Sequence, residues 1–219
     1  MQPSAPDRAA VARFTDVAPS DTRERILFAL AQSIREKGLR KTQITDVVRH
    51  AGASRRTFYR CFADKDSAVV ALAAMTFDSS VDYVAAAVDP LAHQEVQIDQ
   101  GIDAFLDFVA ADPILITAIR TEMPIIGANG VRTHLESIDR FASLIVDLLH
   151  HQTDNDPTAE SDITTLAVML VTGLDGALAR AIAREEPILD LAPSAKLLFR
   201  RVLAATSPAD PGIEASNNA

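Results

Sequence analysis

Apolar residues recur every three or four positions along most of this chain, the spacing of one face of an α-helix. The first run predicts a helix over residues 22–37, with an N-cap at Asp21 or Thr22 and a terminating Gly38. The same reasoning predicts eight further helices, which cover approximately residues 42–51, 55–61, 65–88, 92–110, 114–122, 131–151, 157–184 and 194–205. No segment has a convincing strand pattern, so the predicted fold is all-α with about nine helices.

Proline marks several helix boundaries. Asp89-Pro90 ends the fourth predicted helix, because proline disfavours helical backbone in the residue before it. Asp112-Pro113 and Asp156-Pro157 each supply an N-cap followed by a first-turn proline, and so they open the sixth and eighth helices. Pro124 is expected to close the sixth helix near Glu122.

Composition agrees with a helical globular protein. Alanine occurs 37 times and tryptophan is absent, while a hydrophobic share of 48% excludes a disordered chain. The longest strongly apolar stretch, Ile163–Leu174, has 12 residues, so no membrane span is expected. The N-terminus lacks an apolar run of signal-peptide length, and the lone Cys61 has no partner for an internal disulfide. A cytoplasmic protein is therefore expected.

The charge is unevenly distributed. Residues 1–66 hold 13 Lys/Arg and 8 Asp/Glu, whereas residues 67–219 hold 8 and 22, which gives the net charge of −9. A basic segment followed by a larger acidic body favours a nucleic-acid-binding module joined to a domain of another function. An accidental asymmetry of surface charge is the alternative.

These patterns divide the chain into four parts. Residues 1–20 and 207–219 are rich in proline and small polar residues, and we expect a mobile arm and a mobile tail there. Residues 21–66 form the predicted helix-turn-helix domain, and residues 67–206 form a larger helical domain, for which the family resemblance given below implies effector binding and dimerisation.

The second and third predicted helices have the chemistry of a DNA-reading pair. Ala51-Gly52-Ala53 joins them, Ser54 caps the third helix, and Phe58 and Phe62 share its apolar side. The opposite side carries residues that suit bases or phosphates in a major groove: Arg55, Arg56, Thr57, Tyr59 and Arg60. The alternative is a solvated helix whose arginines meet only water.

This region closely resembles the TetR family of bacterial transcriptional regulators. The resemblance is carried by Arg25-Ile26-Leu27, Ala29, Gly38, Thr42, Ile44, Asp46, Ala51-Gly52, Ser54, Thr57-Phe58-Tyr59, Phe62 and Lys65. It implies that Thr42 and Gln43 approach phosphate, that the third helix reads bases, and that Lys65 holds the DNA backbone. Three positions depart from the family: Arg56 replaces a frequent glycine, Cys61 a frequent phosphate-contacting histidine, and Val48 a usual alanine.

Signals for catalysis or metal binding are weak. The chain has no GxSxG, Walker or GxGxxG motif, and none of its five histidines are paired at the i, i+4 spacing of two metal ligands on one helix. Cys61 is better interpreted as a packed residue than as a redox sensor. We therefore expect no enzyme activity, no metal and no cofactor.

The resemblance also implies roles for the acidic body. Helices 4–7 would surround an apolar effector cavity, for which the candidate lining residues are Phe105, Phe108, Ile119, Met123, His134, Ile138, Phe141, Met169 and Thr172. Helices 8 and 9 would pair with a second subunit, and the candidate dimer residues are Leu170, Leu174, Leu178, Leu198 and Val202. A plain core role is the alternative for both sets.

The combined hypothesis is a homodimeric repressor that occupies a palindromic operator on double-stranded DNA and leaves it when a small apolar effector binds. One alternative is a ligand-independent DNA-binding dimer whose C-terminal part only dimerises. A helical enzyme that uses the cavity for catalysis is disfavoured, because no nucleophile–base or metal-ligand spacing occurs in the sequence.

Overall fold

The structure, a computed structural model, describes residues 19–150 and 157–204, without the side chains of 149–150 and 157–162. Within those residues it contains no strand and the following helices: α1 Thr22–Lys37, α2 Ile44–His50, α3 Arg55–Cys61, α4 Lys65–Ala87, α5 Gln94–Ala111, α6 Pro113–Ile126, α7 Ala128–His150, α8 Pro157–Ala183 and α9 Ala192–Ala204. The all-α prediction is confirmed. The predicted mobile segments lie outside the described residues, apart from positions 19 and 20.

Short polar side chains cap the starts of several helices, at the predicted positions 21, 54 and 112 and also at Asp64. Asp21, Ser54 and Asp64 accept hydrogen bonds from backbone N–H groups three residues ahead, at 2.8, 3.0 and 2.7 Å. Asp112 caps α6 in the same manner, with a longer distance of 3.4 Å to the nitrogen of Leu115.

Two helix boundaries differ most from the sequence prediction, and one short element was not predicted. Helix α6 continues through Pro124 to Ile126, because a proline in the last turn removes only its own N–H bond and the helix ends at Gly127, whose φ is +93°. Helix α7 begins at Ala128, three residues before the predicted start. A four-residue 3₁₀ helix, Ile188–Leu191, precedes α9 and is too short to show a periodic pattern.

Gly130 allows α7 to start directly against the end of α6. A Cβ atom at this position would lie 2.1 Å from the carbonyl oxygen of Met123, which is inside van der Waals contact with backbone that has little freedom to move. The tight α6–α7 junction therefore requires a residue without a side chain.

The first hydrophobic core unites the N-terminal helices with α6. We call it the α1–α4–α6 core; its largest buried members are Ile26, Leu27, Leu30, Ile34, Val47, Phe58, Leu72, Leu115, Ile119 and Met123. A second core lies between α5, α7, α8 and α9 and includes Ile102, Leu106, Val146, Ile163, Leu170, Phe199 and Leu203. Helix α6 thus belongs to the same packing unit as the helix-turn-helix.

Two helices have the length and apolar composition of a membrane span, α4 and the Ile163–Ala183 part of α8. The sequence analysis considered only the longest uninterrupted apolar stretch, which has 12 residues. It therefore did not identify these two helices, because a membrane-spanning helix tolerates scattered polar residues. Helix α4 packs against α1, α5, α6 and α7, and α8 packs against α7 and α9. Helices of this composition are also typical of protein cores.

Replacing Gly130 with alanine is expected to lower the melting temperature by several degrees, since the added methyl group clashes with the Met123 carbonyl. Gly101→Ala is the matched control, because a Cβ there meets Val84 and Val88 at ordinary distances of 3.8 and 3.7 Å. Thermal unfolding followed by circular dichroism measures both. Equal melting temperatures for the two variants would contradict the close-approach argument.

Candidate nucleic-acid interface and ligand cavity

A tight turn fixes α3 relative to α2. Gly52 has a φ of +56°, a left-handed conformation that suits glycine, and the backbone N–H of Ala53 donates to the Val48 carbonyl at 2.9 Å. Arg25 Nε donates to the Ala51 carbonyl at 3.1 Å, which ties the turn to α1. One hydrogen bond within the turn and one from α1 therefore hold the angle between α2 and α3.

The inner side of α3 is aromatic and buried. Phe58 is 1% exposed, and its ring centroid lies 5.7 Å from that of Phe62. The guanidinium carbon of Arg23 lies 5.0 Å from the Phe62 ring centroid, a cation–π contact from α1. These contacts fix the rotation of α3 about its own axis.

The outer side of α3 is basic and exposed. Arg55, Arg56 and Arg60 lie in solvent, and none has an ion-pair partner among the described residues. Tyr59 is 54% exposed, and the half-buried Thr57 places its hydroxyl 2.9 Å from Ser54 Oγ. The five predicted groups thus occur together on a helix seven residues long.

The three residues assigned by resemblance to phosphate contacts differ in accessibility. Gln43 is exposed at the start of α2, but Thr42 is 1% exposed and its hydroxyl donates to the Gly38 carbonyl at 2.9 Å. Lys65 Nζ donates to the carbonyls of Leu39 and Thr42, at 3.3 Å each. The Thr42 side chain is therefore turned away from solvent, and Lys65 braces the α1–α2 loop.

Helix α2 is tied to α1 by polar contacts. Lys37 forms an ion pair with Asp46, and together with the N–H of Gln43 it lowers the pKa of that carboxyl. His50 bridges two side chains of α1, with Nδ1 2.9 Å from Ser33 Oγ and Nε2 3.3 Å from Glu36 Oε2.

A cavity of about 130 Å³ lies within the C-terminal helices. Residues from α4 to α9 line it, and most of them are aliphatic or aromatic, among them Phe77, Val84, Ile98, Phe105, Phe108, Ile116, Phe141, Leu144 and Phe199. The rings of Phe105 and Phe141, which both line the cavity, meet edge to face with their centroids 5.4 Å apart.

Arg120 and Asp175 supply the charged groups in this lining. Arg120 Nη1 donates to Asp175 Oδ1 at 2.5 Å and Nη2 donates to the Asp175 carbonyl at 2.8 Å, while His134 Nε2 lies 3.3 Å from Asp175 Oδ2. Burial alone would raise the pKa of Asp175, but the hydrogen bonds from His134 and Arg120 outweigh burial and hold that pKa at about 2. The cluster links α6, α7 and α8.

A family comparison bears directly on the N-terminal geometry. The family model described as bacterial regulatory proteins, tetR family, matches residues 26–72, which include α2, α3 and the turn between them. The chain belongs to the TetR family. The HTH-type transcriptional regulator YvdT of Bacillus subtilis (strain 168) is 28% identical over 108 residues, and this alignment spans 49% of the present chain and 52% of YvdT, about half of each.

Solved structures agree with the TetR fold over most of the chain. A TetR-family regulator from Mesorhizobium loti superposes with a TM-score of 0.62 at 17% identity, over 86% of this chain and 98% of that one. FadR of Bacillus subtilis, in complex with stearoyl-CoA, gives a TM-score of 0.56 at 16% identity, over 80% and 96% of the two chains. At these identities the similarity concerns the fold.

The structure of this TetR-family chain brings together five of the nine residues predicted to line a cavity: Phe105, Phe108, Ile119, Ile138 and Phe141. Met123 lies instead in the α1–α4–α6 core. His134 lies behind the lining, where it contacts Asp175 and the Phe77 ring. Met169 and Thr172 lie outside the cavity, on the exposed face of α8.

The predicted dimer stripe on α8 faces the interior of its own subunit. Leu170 and Leu178 are 4% and 1% exposed, and Leu174 lines the cavity. Leu170 and Leu178 therefore have little surface left for a partner chain, whereas Leu174 keeps partial exposure. On α9, Leu198 is 49% exposed, and Val202 is half-buried against the second core.

Sequence reasoning missed Arg120 and Asp175 as site residues. They are 55 positions apart, and each lies among mostly apolar or small residues of its own helix, with no oppositely charged residue three or four positions away. An isolated charge within an apolar helix requires a buried partner, and that requirement is the signal that the sequence contained.

Asp175→Asn is expected to destabilise the fold by about 2 kcal/mol at neutral pH, because the lowered pKa reflects favourable contacts of the ionised form. The ionised carboxylate stabilises the protein fully above the unfolded pKa of about 4, and this contribution is lost as the pH falls towards 2. Urea unfolding at several pH values measures the difference between wild type and variant, with the exposed Asp139→Asn as control. A difference that stays constant from pH 6 to pH 2 would refute the assignment.

Proposed function

We propose that this protein is a ligand-responsive, homodimeric transcriptional regulator of the cytoplasm, which binds a palindromic operator and is released from it by a small apolar effector. The observation that carries the proposal is the exposed basic side of α3, mounted on a buried aromatic side, in a chain that also contains a separate apolar cavity. The curated relative, an HTH-type transcriptional regulator, supports the DNA-binding part.

Base reading is assigned to α3. An arginine matches the two acceptors of guanine with two parallel hydrogen bonds, and the unpaired guanidinium groups of Arg55, Arg56 and Arg60 are free of competing carboxylates among the described residues. Gln43 and the N-terminus of α2 lie beside α3 for phosphate contacts. Two such helices about 34 Å apart in a dimer enter successive major grooves on one side of the duplex.

Helix α6 provides a physical link between cavity and DNA-binding region. Ile116, Ile119 and Arg120 line the cavity. The same helix, with its N-cap Asp112, forms one ion pair with α1 and one with the loop that follows α1. Arg35 donates through Nε and Nη2 to Asp112 Oδ2 at 2.8 and 2.5 Å, and Arg40 Nε donates to Glu122 at 2.9 Å. A ligand that shifts α6 therefore shifts α1, and with it the separation of the two recognition helices.

The effector role is supported by the cavity and by one neighbour. The lining has few polar groups, and helices α4 to α9 all contribute residues to it. The FadR structure of the same fold holds stearoyl-CoA, a ligand with a long apolar chain. A release mechanism requires only that the ligand binds the DNA-incompetent arrangement more tightly than the competent one.

The dimer is assigned to the outer faces of α8 and α9. Only 22% of the apolar Ile163–Ala183 stretch is buried within the subunit. Its outward side carries Met169, 65% exposed, and the exposed Gly173 and Gly176, at each of which an added Cβ meets nothing within 4 Å. Leu197 and Leu198 continue the apolar surface on α9. A symmetric four-helix contact with a second copy buries this surface.

The second candidate is a ligand-independent DNA-binding dimer whose C-terminal part only dimerises. It shares the operator and dimer contacts but predicts that operator affinity is independent of any cavity ligand. A screen of apolar compounds, scored on operator release by fluorescence anisotropy, separates the two.

Arg56→Ala is expected to weaken binding to a selected operator by about 1–3 kcal/mol and to relax the base preference at one position per half-site, if its guanine contact is bidentate. Lys65→Ala is expected to weaken all duplexes alike, because Lys65 braces the loop before α2. Arg132→Ala on the exposed part of α7 is the control and is expected to leave affinity unchanged. A wild-type protein that shows no salt-dependent preference for any duplex over random DNA would refute the DNA-binding proposal.

Met169→Glu and Leu198→Glu are expected to produce monomers that keep their helix content, because both side chains are exposed in the subunit and would bury a charge only in the dimer. Loss of dimerisation is expected to remove operator binding as well. The control is Leu91→Glu, at a position 94% exposed in the α4–α5 loop. Analytical ultracentrifugation measures the state of each variant, and dimers that persist in both α8 and α9 variants would exclude this surface.

A further inference from the structure

The cavity is elongated. Its lining runs along α5 from Gln94 to Val109 and along α7 from Ser137 to Leu148. At 1.5 Å per residue these stretches are about 22 and about 16 Å long. A narrow space of this length and small volume fits an extended chain better than a compact ring system.

The charged groups lie at one end of this space. The Phe77 ring of α4 contacts His134 of α7, and His134 contacts Asp175. The N-terminal part of the α4 lining therefore lies close to the Arg120–Asp175 pair. The hydroxyl groups at this end are occupied as donors to backbone carbonyls: Thr76 to Leu72 at 2.8 Å, Ser80 to Phe77 at 2.7 Å and Ser137 to His134 at 2.6 Å. They have no hydrogen to offer to a ligand in this arrangement.

Arg120 has an unused donor. Its Nη1 and Nη2 atoms bind Asp175, whereas Nε is buried and has no hydrogen-bond partner among the described residues. Among the described residues, no other buried side-chain nitrogen or oxygen lacks a hydrogen-bond partner. A buried N–H without an acceptor is unfavourable, so a ligand oxygen that reaches Nε through a small shift of the Arg120 side chain gains the hydrogen bond that the protein leaves unmade.

The charges at the Arg120–Asp175 end of the cavity already balance each other, so this end disfavours a ligand with an ionic head group. Arg120 and Asp175 neutralise each other, and both carboxylate oxygens of Asp175 already face a partner, Arg120 or His134. A second carboxylate would be buried beside the ionised Asp175 without a cation of its own, and a cationic head group would find no free carboxylate oxygen. An uncharged acceptor adds no buried charge.

We propose that the effector is an extended, uncharged, mainly hydrocarbon molecule with a hydrogen-bond-accepting oxygen at one end, such as an ester or ketone carbonyl, which accepts from Arg120 Nε–H. This inference rests on the proposed role of the cavity as the effector site, and it deepens that role by naming the ligand class. The apolar chain extends from Arg120 towards the region of Leu144, Leu148 and Phe199.

The test is direct binding to the full-length protein by isothermal titration calorimetry, with three probes that share one chain length. Methyl decanoate is used below its solubility limit, and decanoate and decyltrimethylammonium are used below their critical micelle concentrations. Methyl decanoate is expected to bind at least about tenfold more tightly than either ion, because each ion adds an uncompensated buried charge. Decanoate or the ammonium compound binding as tightly as the ester would overturn the proposal.

Arg120→Lys tests the hydrogen bond itself. Lysine keeps the positive charge beside Asp175 but removes the Nε–H donor, so methyl decanoate is expected to bind about tenfold more weakly. Arg132→Lys, an exposed arginine outside the cavity, is the matched control. If Arg120→Lys does not fold, the double variant R120Q/D175N replaces the ion pair with a neutral one and is expected to show the same loss of affinity. Unchanged ester affinity in the folded variant would overturn the proposal.

Operator affinity is measured separately, so that the two proposals fail in different ways. If the ester binds in the predicted order but leaves operator affinity unchanged, the ligand class stands and the release mechanism fails. If operator binding is specific but no probe binds, the inference about the ligand fails and the DNA-binding proposal stands.

Discussion

The packing of α6 into the core of the DNA-binding helices is the constraint on which the rest of the structure depends. Leu115, Ile119 and Met123 are each at most 2% exposed in the α1–α4–α6 core, although Ile119 also lines the cavity. Close-packed interiors respond to displacement by moving as units, since a small gap already forfeits contact energy. We therefore expect a change in cavity shape to be transmitted to α1 and α4, which pack with the helix-turn-helix.

The distribution of ionic contacts refines the interpretation of the basic N-terminal segment. Lys37, Arg35 and Arg40 form ion pairs with Asp46, Asp112 and Glu122, so much of the local positive charge serves internal structure. The arginines of α3 have no such partners among the described residues. The net charge of +5 over residues 1–66 thus overstates the charge available to DNA, while three unpaired arginines lie on the helix that we propose enters the major groove.

Sequence reasoning reached the helices, their caps and the helix-turn-helix because these features depend on residues close in the chain. Ser54, Gly52 and Phe58 determine the turn and the buried side of α3 locally. The partner of an apolar stripe depends on the whole fold: Leu170 and Leu178 show the same periodicity whether they face a second subunit or their own core. The Arg120–Asp175 contact joins two distant helices, and no local pattern specifies that pairing.

The most direct test of coupling between cavity and DNA-binding region is the affinity of methyl decanoate for the free protein and for the operator-saturated protein, measured by calorimetry at one salt concentration. Thermodynamic linkage requires that DNA weakens ligand binding by the same factor by which ligand weakens DNA binding. The structure predicts a reduction of roughly 5- to 150-fold, the usual range of allosteric coupling. Equal ligand affinity with and without operator would contradict the coupling through α6.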